Sequence, residues 1–482
     1  MRWPGAAGIL VGLAALVALV LIFGDRDRPR TTPVDPAAHY NQNAPNVVVV
    51  MTDDQAVDTM GAMPRTRRLI GGRGVTFENS VVSFPLCCPS RATFLTGQYA
   101  HNHGVRNNSG PNGGYQALDA DNTLPVWLSR AGFRTGFVGK FLNGYGEGNR
   151  AREVPPGWTD WYGLPATAKQ RPFDFELNED GELVTYDDGE YKTEVLADRA
   201  ASFIRDRAPG KRPFFLWVAT DAPHKDAGVP EGAERNPEPA PRDRKRFDGR
   251  KPPRKESVDE EDVSDKPQSV RRRPRLGNRA RAEIEKVYVS QLESLVAVDR
   301  LVKQVVRELR RAGELEDTLV VFTSDHGFLR GQHRIGSGKS RVYEEAIRVP
   351  LLIRGSGVPR GVREDSVVGN VDLAPTILEL AGATPTVAVD GRSLVPVARG
   401  EGPEDRAILL EVFERSSGRF TGVRSRRYSY AHYEGGTREL YDLERDPEQL
   451  ESVHDDPRYA TVRQRLAEVL RRLRDCSGES CR

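Results

Sequence analysis

Short apolar runs alternating with stretches of helical periodicity set the rhythm of the first two thirds of this chain. Residues 46–51, Asn-Val-Val-Val-Val-Met, form a continuous β-branched run of the kind buried on both faces of a parallel sheet. Similar runs recur at 133–138, 214–219, 319–323 and 349–353, and each predicts a strand. Helical spacing precedes three of them, at 123–131, 195–207 and 281–311. The longest places Ile284, Val287, Leu292, Leu295, Val302, Val305 and Leu309 on one stripe. Strands alternating with helices predict an α/β fold with a mostly parallel central sheet flanked by helices. After about residue 385 the pattern shifts to short runs at 407–412, 421–424, 428–433 and 439–441, then a helix over 458–473. That predicts a smaller C-terminal subdomain over 385–482, an antiparallel sheet capped by a helix, beside a main domain over 46–384.

Two stretches break the rhythm. Residues 5–23 are almost unbroken apolar, with Arg2 before them and Asp25-Arg26-Asp27-Arg28 after. Roughly 19 residues lie at the low end of what spans a bilayer and exceed a usual signal-peptide core. Residues 1–24 read as an uncleaved signal-anchor, with a cleaved signal peptide as the alternative, and residues 25–45 as a linker. Either way the body of the protein is expected outside the cytoplasm, anchored or secreted. The second stretch, 227–278, is rich in Pro, Arg, Lys, Asp and Glu and poor in large apolar residues. It reads as an exposed insertion whose Arg271-Arg272-Arg273 cluster is a solvated face, with polyanion binding as the alternative.

Composition adds three points. Lys+Arg 71 against Asp+Glu 69 leaves little net charge, so nothing global points to nucleic acid. Only 12 of those 71 cations are lysines, so a lysine directly after an apolar strand stands out. Four cysteines fall into two pairs: Cys87 and Cys88 are adjacent, whereas Cys476 and Cys481 can close a small loop at the end of an exported chain.

Each apolar strand leads directly into residues able to do chemistry. Residues 47–51 run into Asp53-Asp54, 319–323 into Asp325-His326, 133–138 into Gly139-Lys140, and 214–219 into Pro223-His224. Ligands of parallel α/β sheets bind outside the carboxyl ends of the strands, so four strands deliver acids, a lysine and a histidine to one crevice. Any one of these aspartates alone could be a helix or turn cap. Together they would repel one another without a cation between them, which implies a divalent metal, and their oxygens favour Ca²⁺ or Mg²⁺.

Between these strands stands Cys87-Cys88-Pro89-Ser90-Arg91, continuing Ala-Thr-Phe-Leu-Thr-Gly-Gln and opening a helix over 90–96. Pro89 suits a first helical turn, whose free N–H groups point at whatever Cys87 holds. The pentapeptide resembles the Cys-x-Pro-Ser-Arg motif of the type I, formylglycine-dependent sulfatases, in the alkaline-phosphatase-like superfamily. The resemblance covers roughly 46–453 and is weakest across the charged insertion. It implies that a formylglycine-generating enzyme oxidises Cys87 to 3-oxoalanine, whose hydrate attacks sulfur. It further implies a metal, normally Ca²⁺, held by Asp53, Asp54, Asp325, His326 and an oxygen of modified Cys87. His326 departs from the commoner asparagine and leaves Mg²⁺ or Mn²⁺ open. Arg91 would support the ionised hydrate, and Lys140, His224 and Lys339 would contact the sulfate, His224 or Lys339 protonating the departing alcohol. The sulfated intermediate would then collapse through the second hydroxyl. A histidine that many sulfatases place two residues after the Lys140 equivalent is absent from Lys140-Phe141-Leu142-Asn143, which leaves the base for the collapse unassigned.

Lys140-Phe141-Leu142-Asn143, His101-Asn102-His103 and Pro155-Pro156-Gly157-Trp158 resemble the N-acetylglucosamine-6-sulfatase branch, which implies sulfated carbohydrates, or small sulfate esters, as substrates. His101 and His103 stand open between contacts at the site's rim and structural hydrogen bonding. Tyr441-Asp442-Leu443 and Asp446-Pro447 look architectural. The alternatives are a phosphonate or phosphodiester hydrolase of the same superfamily and a non-catalytic module that binds sulfated glycans.

Overall fold

A computed structural model describes residues 41–167, 169–187, 189–225, 236–401, 406–413 and 418–482. The apolar run at 5–23 lies outside them. Among the described residues no helix is long and apolar enough to cross a membrane.

The centre of the molecule is a mixed, mostly parallel sheet. In chain order its strands are β1 (Asn46–Thr52), β2 (Val75–Val81), β3 (Arg134–Gly139), β4 (Asp160–Gly163), β5 (Gln170–Arg171), β6 (Asp174–Glu179), β7 (Glu182–Tyr186), β8 (Phe214–Ala219), β9 (Thr318–Ser324), β10 (Leu351–Arg354) and β11 (Val362–Gly369). In space they run β11-β2-β10-β9-β1-β8-β3-β4-β6-β5, with β7 on β6. β1 lies parallel between β8 and β9, in register Val47 to Phe215 and Leu319. β10 is antiparallel to both its neighbours. The predicted strands all form. The missed β2 and β11 mix charged with apolar residues and are partly exposed, so neither shows the continuous apolar run that marks a central strand.

Alternate residues of β1 serve two cores. Val47, Val49 and Met51 join Ala92, Phe94 and Leu95 of α1 (Cys87–Thr96), with Trp127 and Trp217. Val48 and Val50 face α2 (Lys192–Arg207) and α3 (Asn278–Arg311), and all seven residues of the predicted α3 stripe are buried. α1 ends at Gly97, whose φ of 67° belongs to the left-handed region. A Cβ there would lie 3.3 Å from Ala374, Pro375 and Val389, so glycine both closes the helix and lets it dock.

The C-terminal sheet has the order β12 (Ala407–Val412), β13 (Phe420–Ser425), β14 (Tyr428–Tyr433), β15 (Arg438–Asp442), all antiparallel, and α4 (Ala460–Arg474) covers it. Cys476 and Cys481 form a disulfide. Tyr441 donates to Glu439 and Asp442 pairs with Arg427, both architectural roles.

The charged stretch departs from expectation in part. Over 236–277 it is packed, with Ala240, Asp243, Val263, Lys266 and Val270 buried. Its buried charges find partners, Arg300 forking onto Asp243 at 2.8 and 2.6 Å and Lys266 reaching Asp265 and the Leu450 carbonyl, whereas Arg271 and Arg272 are exposed, as the solvated face expected of that cluster requires. Charge signals exposure only where it lacks a partner, and here partners arrive from α3 and the C-terminal subdomain.

Candidate active site

The chain turn after β1 places Asp53 and Asp54, both buried, Asp54 with φ 65°. Asp53 N donates to the Ala222 carbonyl at 3.3 Å and Asp54 N to Asp325 Oδ1 at 3.3 Å, so the ends of β1, β8 and β9 are tied together. Gly139 ends β3 with φ 112°, and a Cβ on it would fall 2.0 Å from the Ala219 carbonyl oxygen. Only glycine lets β3 deliver Lys140 that close to β8.

Arg91 organises the acids from α1. Its Nε donates to Asp325 Oδ2 at 2.9 Å and one Nη to Asp53 Oδ2 at 3.0 Å, and all three side chains are fully buried. Its other Nη donates to the Lys140 and Phe141 carbonyls. The Oδ2 atoms are thereby occupied, and the Oδ1 atoms face inward. Cys87 Sγ lies 3.7 Å from Asp53 Oδ1, 3.4 Å from His326 Nε2 and 3.2 Å from Lys339 Nζ. One ligand atom from each of Asp53, Cys87, Asp325 and His326 falls within 4.8 Å of the others, a group able to hold a metal ion. His326 Nδ1 is held by the Gly327 carbonyl at 2.9 Å, which leaves Nε2 for the centre. Two inward carboxylate oxygens with one imidazole nitrogen form a donor set that fits a divalent ion.

Asp54 stands beside this quartet. It groups with Asp53 and His224, receives Lys339 Nζ at 2.8 Å, and lies 3.6 Å from His224 Nε2. Lys140 Nζ pairs with Asp53 Oδ2. All the site residues named from the sequence thus meet at one place.

The charges explain the titration behaviour. Burial opposes ionisation of Asp53, yet Lys140, His224, Arg91 and Lys339 outweigh it and hold the carboxyl well below its usual range. Burial and Asp53 push the Cys87 thiol up, but Lys140, Lys339 and His326 bring it net down. Cys88 is pushed up to about 12 by burial and by Cys87, and its Sγ exchanges hydrogen bonds with Asn143. Only Cys87 has the environment of a reacting residue. His326 is raised to about 9, since Asp325 outweighs its burial.

A cavity of about 350 Å³ opens beside these groups, lined among others by Asn108, Lys140, Asn143, Lys192, Asp221 and His224. Lys192 and Asp221, paired at 2.7 Å, escaped the sequence reading. Asp221 comes just after β8, so the strand-end rule that singled out His224 could have found it.

His101 and His103 resolve as structural. His103 is buried, bonded to Thr93 Oγ1 and to Val105 N, and burial holds it down at about 3. His101 bridges Glu411 and the Cys476 carbonyl, each at 2.9 Å. Burial opposes its charge, but Glu411 raises its pKa above the unfolded value. Its contribution to stability is therefore complete below about pH 6.5 and lost as pH rises through the folded value. His101→Gln is expected to flatten that fall, read from denaturation midpoints between about pH 5.5 and 8.5, and to leave kcat unchanged.

Residues 45–383 match the family model described as Sulfatase. The chain belongs to the sulfatase family. It is by that membership a sulfuric ester hydrolase, and a second match, to the C-terminal region of N-sulphoglucosamine sulphohydrolase, covers residues 331–476. This sulfatase is 35% identical to an arylsulfatase of Volvox carteri over 92% of its own length and 76% of that protein's. It is 35% identical to the human N-acetylglucosamine-6-sulfatase over 74% of its own length, spanning 64% of that relative. A solved structure holding its substrate D-glucosamine-2-N,6-O-disulfate superimposes with a TM-score of 0.75, at 24% identity, over 89% of this sulfatase and 97% of that chain. The phosphonate monoester hydrolase of Agrobacterium radiobacter superimposes at 0.69, with 23% identity, over 89% and 95%. These two superpositions speak for the fold alone.

Proposed function

We propose that this sulfatase removes sulfate from a carbohydrate, the 6-sulfate of N-acetylglucosamine being the leading candidate, using formylglycine made from Cys87 and a divalent metal. The observation that carries the reading is the placement of Cys87: first residue of α1, against the Asp53–Asp325–His326 donor atoms, with Lys140 on Asp53 and Lys339 on Asp54 close by. Support for the sugar comes from the N-acetylglucosamine-6-sulfatase of Homo sapiens and the N-acetylglucosamine-6-O-sulfatase of Bacteroides thetaiotaomicron among its relatives.

When present, formylglycine would supply a hydrated aldehyde as nucleophile, and a divalent metal, Ca²⁺ first and Mg²⁺ or Mn²⁺ next, would supply Lewis acidity. The chain's own groups do the rest. Asp53, Asp325 and His326 hold the ion, Asp54 joining them or taking the proton of residue 87. Arg91 fixes the two outer carboxylates so that the inner oxygens cannot rotate away. Lys140 and Lys339 bind sulfate oxygens and strengthen that hold as negative charge develops. His224 or Lys339 protonates the departing alcohol: burial pushes His224 down despite Asp54, so it would serve only from its imidazolium form, whereas, against burial, Asp54 and Cys87 hold Lys339 well above its ordinary value and keep it protonated. An export route fits both the N-terminal apolar run and the extracellular sulfatases among the relatives.

Mass spectrometry of the peptide spanning Cys87 tests the nucleophile: sulfur lost and oxygen gained supports it, and an intact thiol in active protein overturns it. Chelation is expected to abolish turnover and lower the melting temperature, and refilling with Ca²⁺, Mg²⁺ or Mn²⁺ ranks the metals. The Asp325-His326 pair keeps a second reading in view, a phosphonate or phosphodiester hydrolase. Matched assays separate the two, since faster phosphodiester turnover would reverse the choice.

A further inference from the structure

Asp221 and His224 share one turn after β8, the His224 N–H donating to the Asp221 carbonyl at 2.8 Å, and both line the cavity of about 350 Å³ together with Lys140 and Asn143. Lys140 and His224 are groups that would meet the sulfo group. The alcohol part of the substrate therefore has the rest of this cavity to occupy, with Asp221 in its wall.

Asp221 is held from behind. Lys192, the first residue of α2, has only 5% of its side chain exposed, and its Nζ donates at 2.7 Å both to the Gln170 carbonyl and to Asp221 Oδ2. Asp221 keeps 31% of its side chain exposed. One end of the ion pair is thus sealed in protein while the other is presented at the cavity. Burial opposes ionisation of Asp221, but Lys192, Lys140 and His224 outweigh it and hold its carboxyl below the usual range. A carboxylate offers about four acceptor sites and no donor, and Lys192 takes one of them. The matching ligand group is an O–H or N–H donor, for which an ionised acceptor makes a stronger bond than a neutral one.

We propose that Asp221 is a specificity residue of this sulfatase, its carboxylate accepting a hydrogen bond from a hydroxyl or the acetamido N–H of the sulfated sugar, with Lys192 fixing its position. The proposal rests on the carbohydrate reading of the active site. It goes beyond that reading by naming the group that recognises the alcohol rather than the sulfate. An analogue lacking the donor leaves the acceptor unmatched, at a cost moderated by the partial exposure of Asp221.

The test compares kcat/KM of N-acetylglucosamine 6-sulfate with those of its 3-deoxy, 4-deoxy and 2-deoxy analogues, the last lacking the acetamido group, on the full chain and on Asp221→Asn. The amide keeps its oxygen for Lys192 and turns an NH₂ toward the cavity, donor against donor. The expected result is that wild type disfavours one analogue by about thirtyfold, equivalent to about 2 kcal/mol, and the variant by no more than about threefold. The analogue so affected identifies the donor. Asp221→Asn/Lys192→Gln, which leaves neither charge unpaired, replaces the single variant if a thermal melt shows the latter unfolded. Calorimetry of the same sugars on Cys87→Ala protein, with and without Asp221→Asn, reads the discrimination where no ester is turned over. Equal discrimination in wild type and variant overturns the proposal and leaves Asp221 as a counter-charge for Lys192. Turnover of an aryl sulfate by the wild type, with the sugar ester neither turned over nor bound, removes the carbohydrate reading and the proposal with it.

Discussion

Cys87→Ser is expected to cut turnover of any sulfate ester by at least about a thousandfold while leaving the melting temperature nearly unchanged. The side chain is small, sits in the first turn of α1 and makes only contacts of 3.2 Å or longer to Lys339, His326 and Asp53, so oxygen for sulfur disturbs little packing. The chemistry is another matter. A serine carries one oxygen, and a sulfo group captured on it has no second hydroxyl to expel it. Initial rates on an aryl sulfate, beside a thermal melt of the same preparation, read both halves. Turnover within about tenfold of wild type would overturn the assigned nucleophile. Loss of fold would instead place Cys87 in the structure rather than the chemistry.

Arg91→Met is expected to destabilise the protein by about 3–5 kcal/mol, the range for removing one partner of a buried ion pair. The Arg91 side chain is fully buried and its two carboxylate partners are equally so. Methionine fills much of the space but leaves Asp325 Oδ2 without its Arg91 donor and Asp53 Oδ2 with Lys140 alone, and lets both carboxylates turn. Arg91→Lys should recover little, because an ammonium cannot fork between two acids and two carbonyls at once. Denaturant titration at saturating metal measures the loss. A change below about 1 kcal/mol would mean that Lys140 and the ion hold the acids without Arg91.

The chemistry of the crevice is legible in the sequence because its residues obey a rule of place. Asp53, Lys140, His224 and Asp325 each come soon after an apolar run, and the end of a buried strand is where a parallel sheet presents its ligands. Cys87, Arg91 and Lys339 obey no such rule and are reached through motif resemblance. The same logic fails at the edges. β2 and β11 carry Glu78, Arg363, Glu364 and Asp365 on partly exposed positions, so the apolar-run criterion passes them by. Residues 236–277 read as an exposed insertion because their charges look solvated in one dimension. Asp243 meets Arg300 across 57 residues and Lys266 meets the Leu450 carbonyl across 184, and no local window contains either pair.

By itself, then, the sequence determined the strand–helix alternation, the separate C-terminal sheet and the strand-end groups Asp53, Lys140, His224 and Asp325 of the crevice, because apolar periodicity and strand ends are local properties. Tertiary structure alone decided how those groups divide. Arg91 takes the outer oxygens of Asp53 and Asp325, the inner ones turn toward Cys87 and His326, and Asp54 goes with Lys339 and His224. Which oxygen faces which cation depends on distances between residues up to 285 positions apart, and those distances exist only once β1, β9 and α1 have packed.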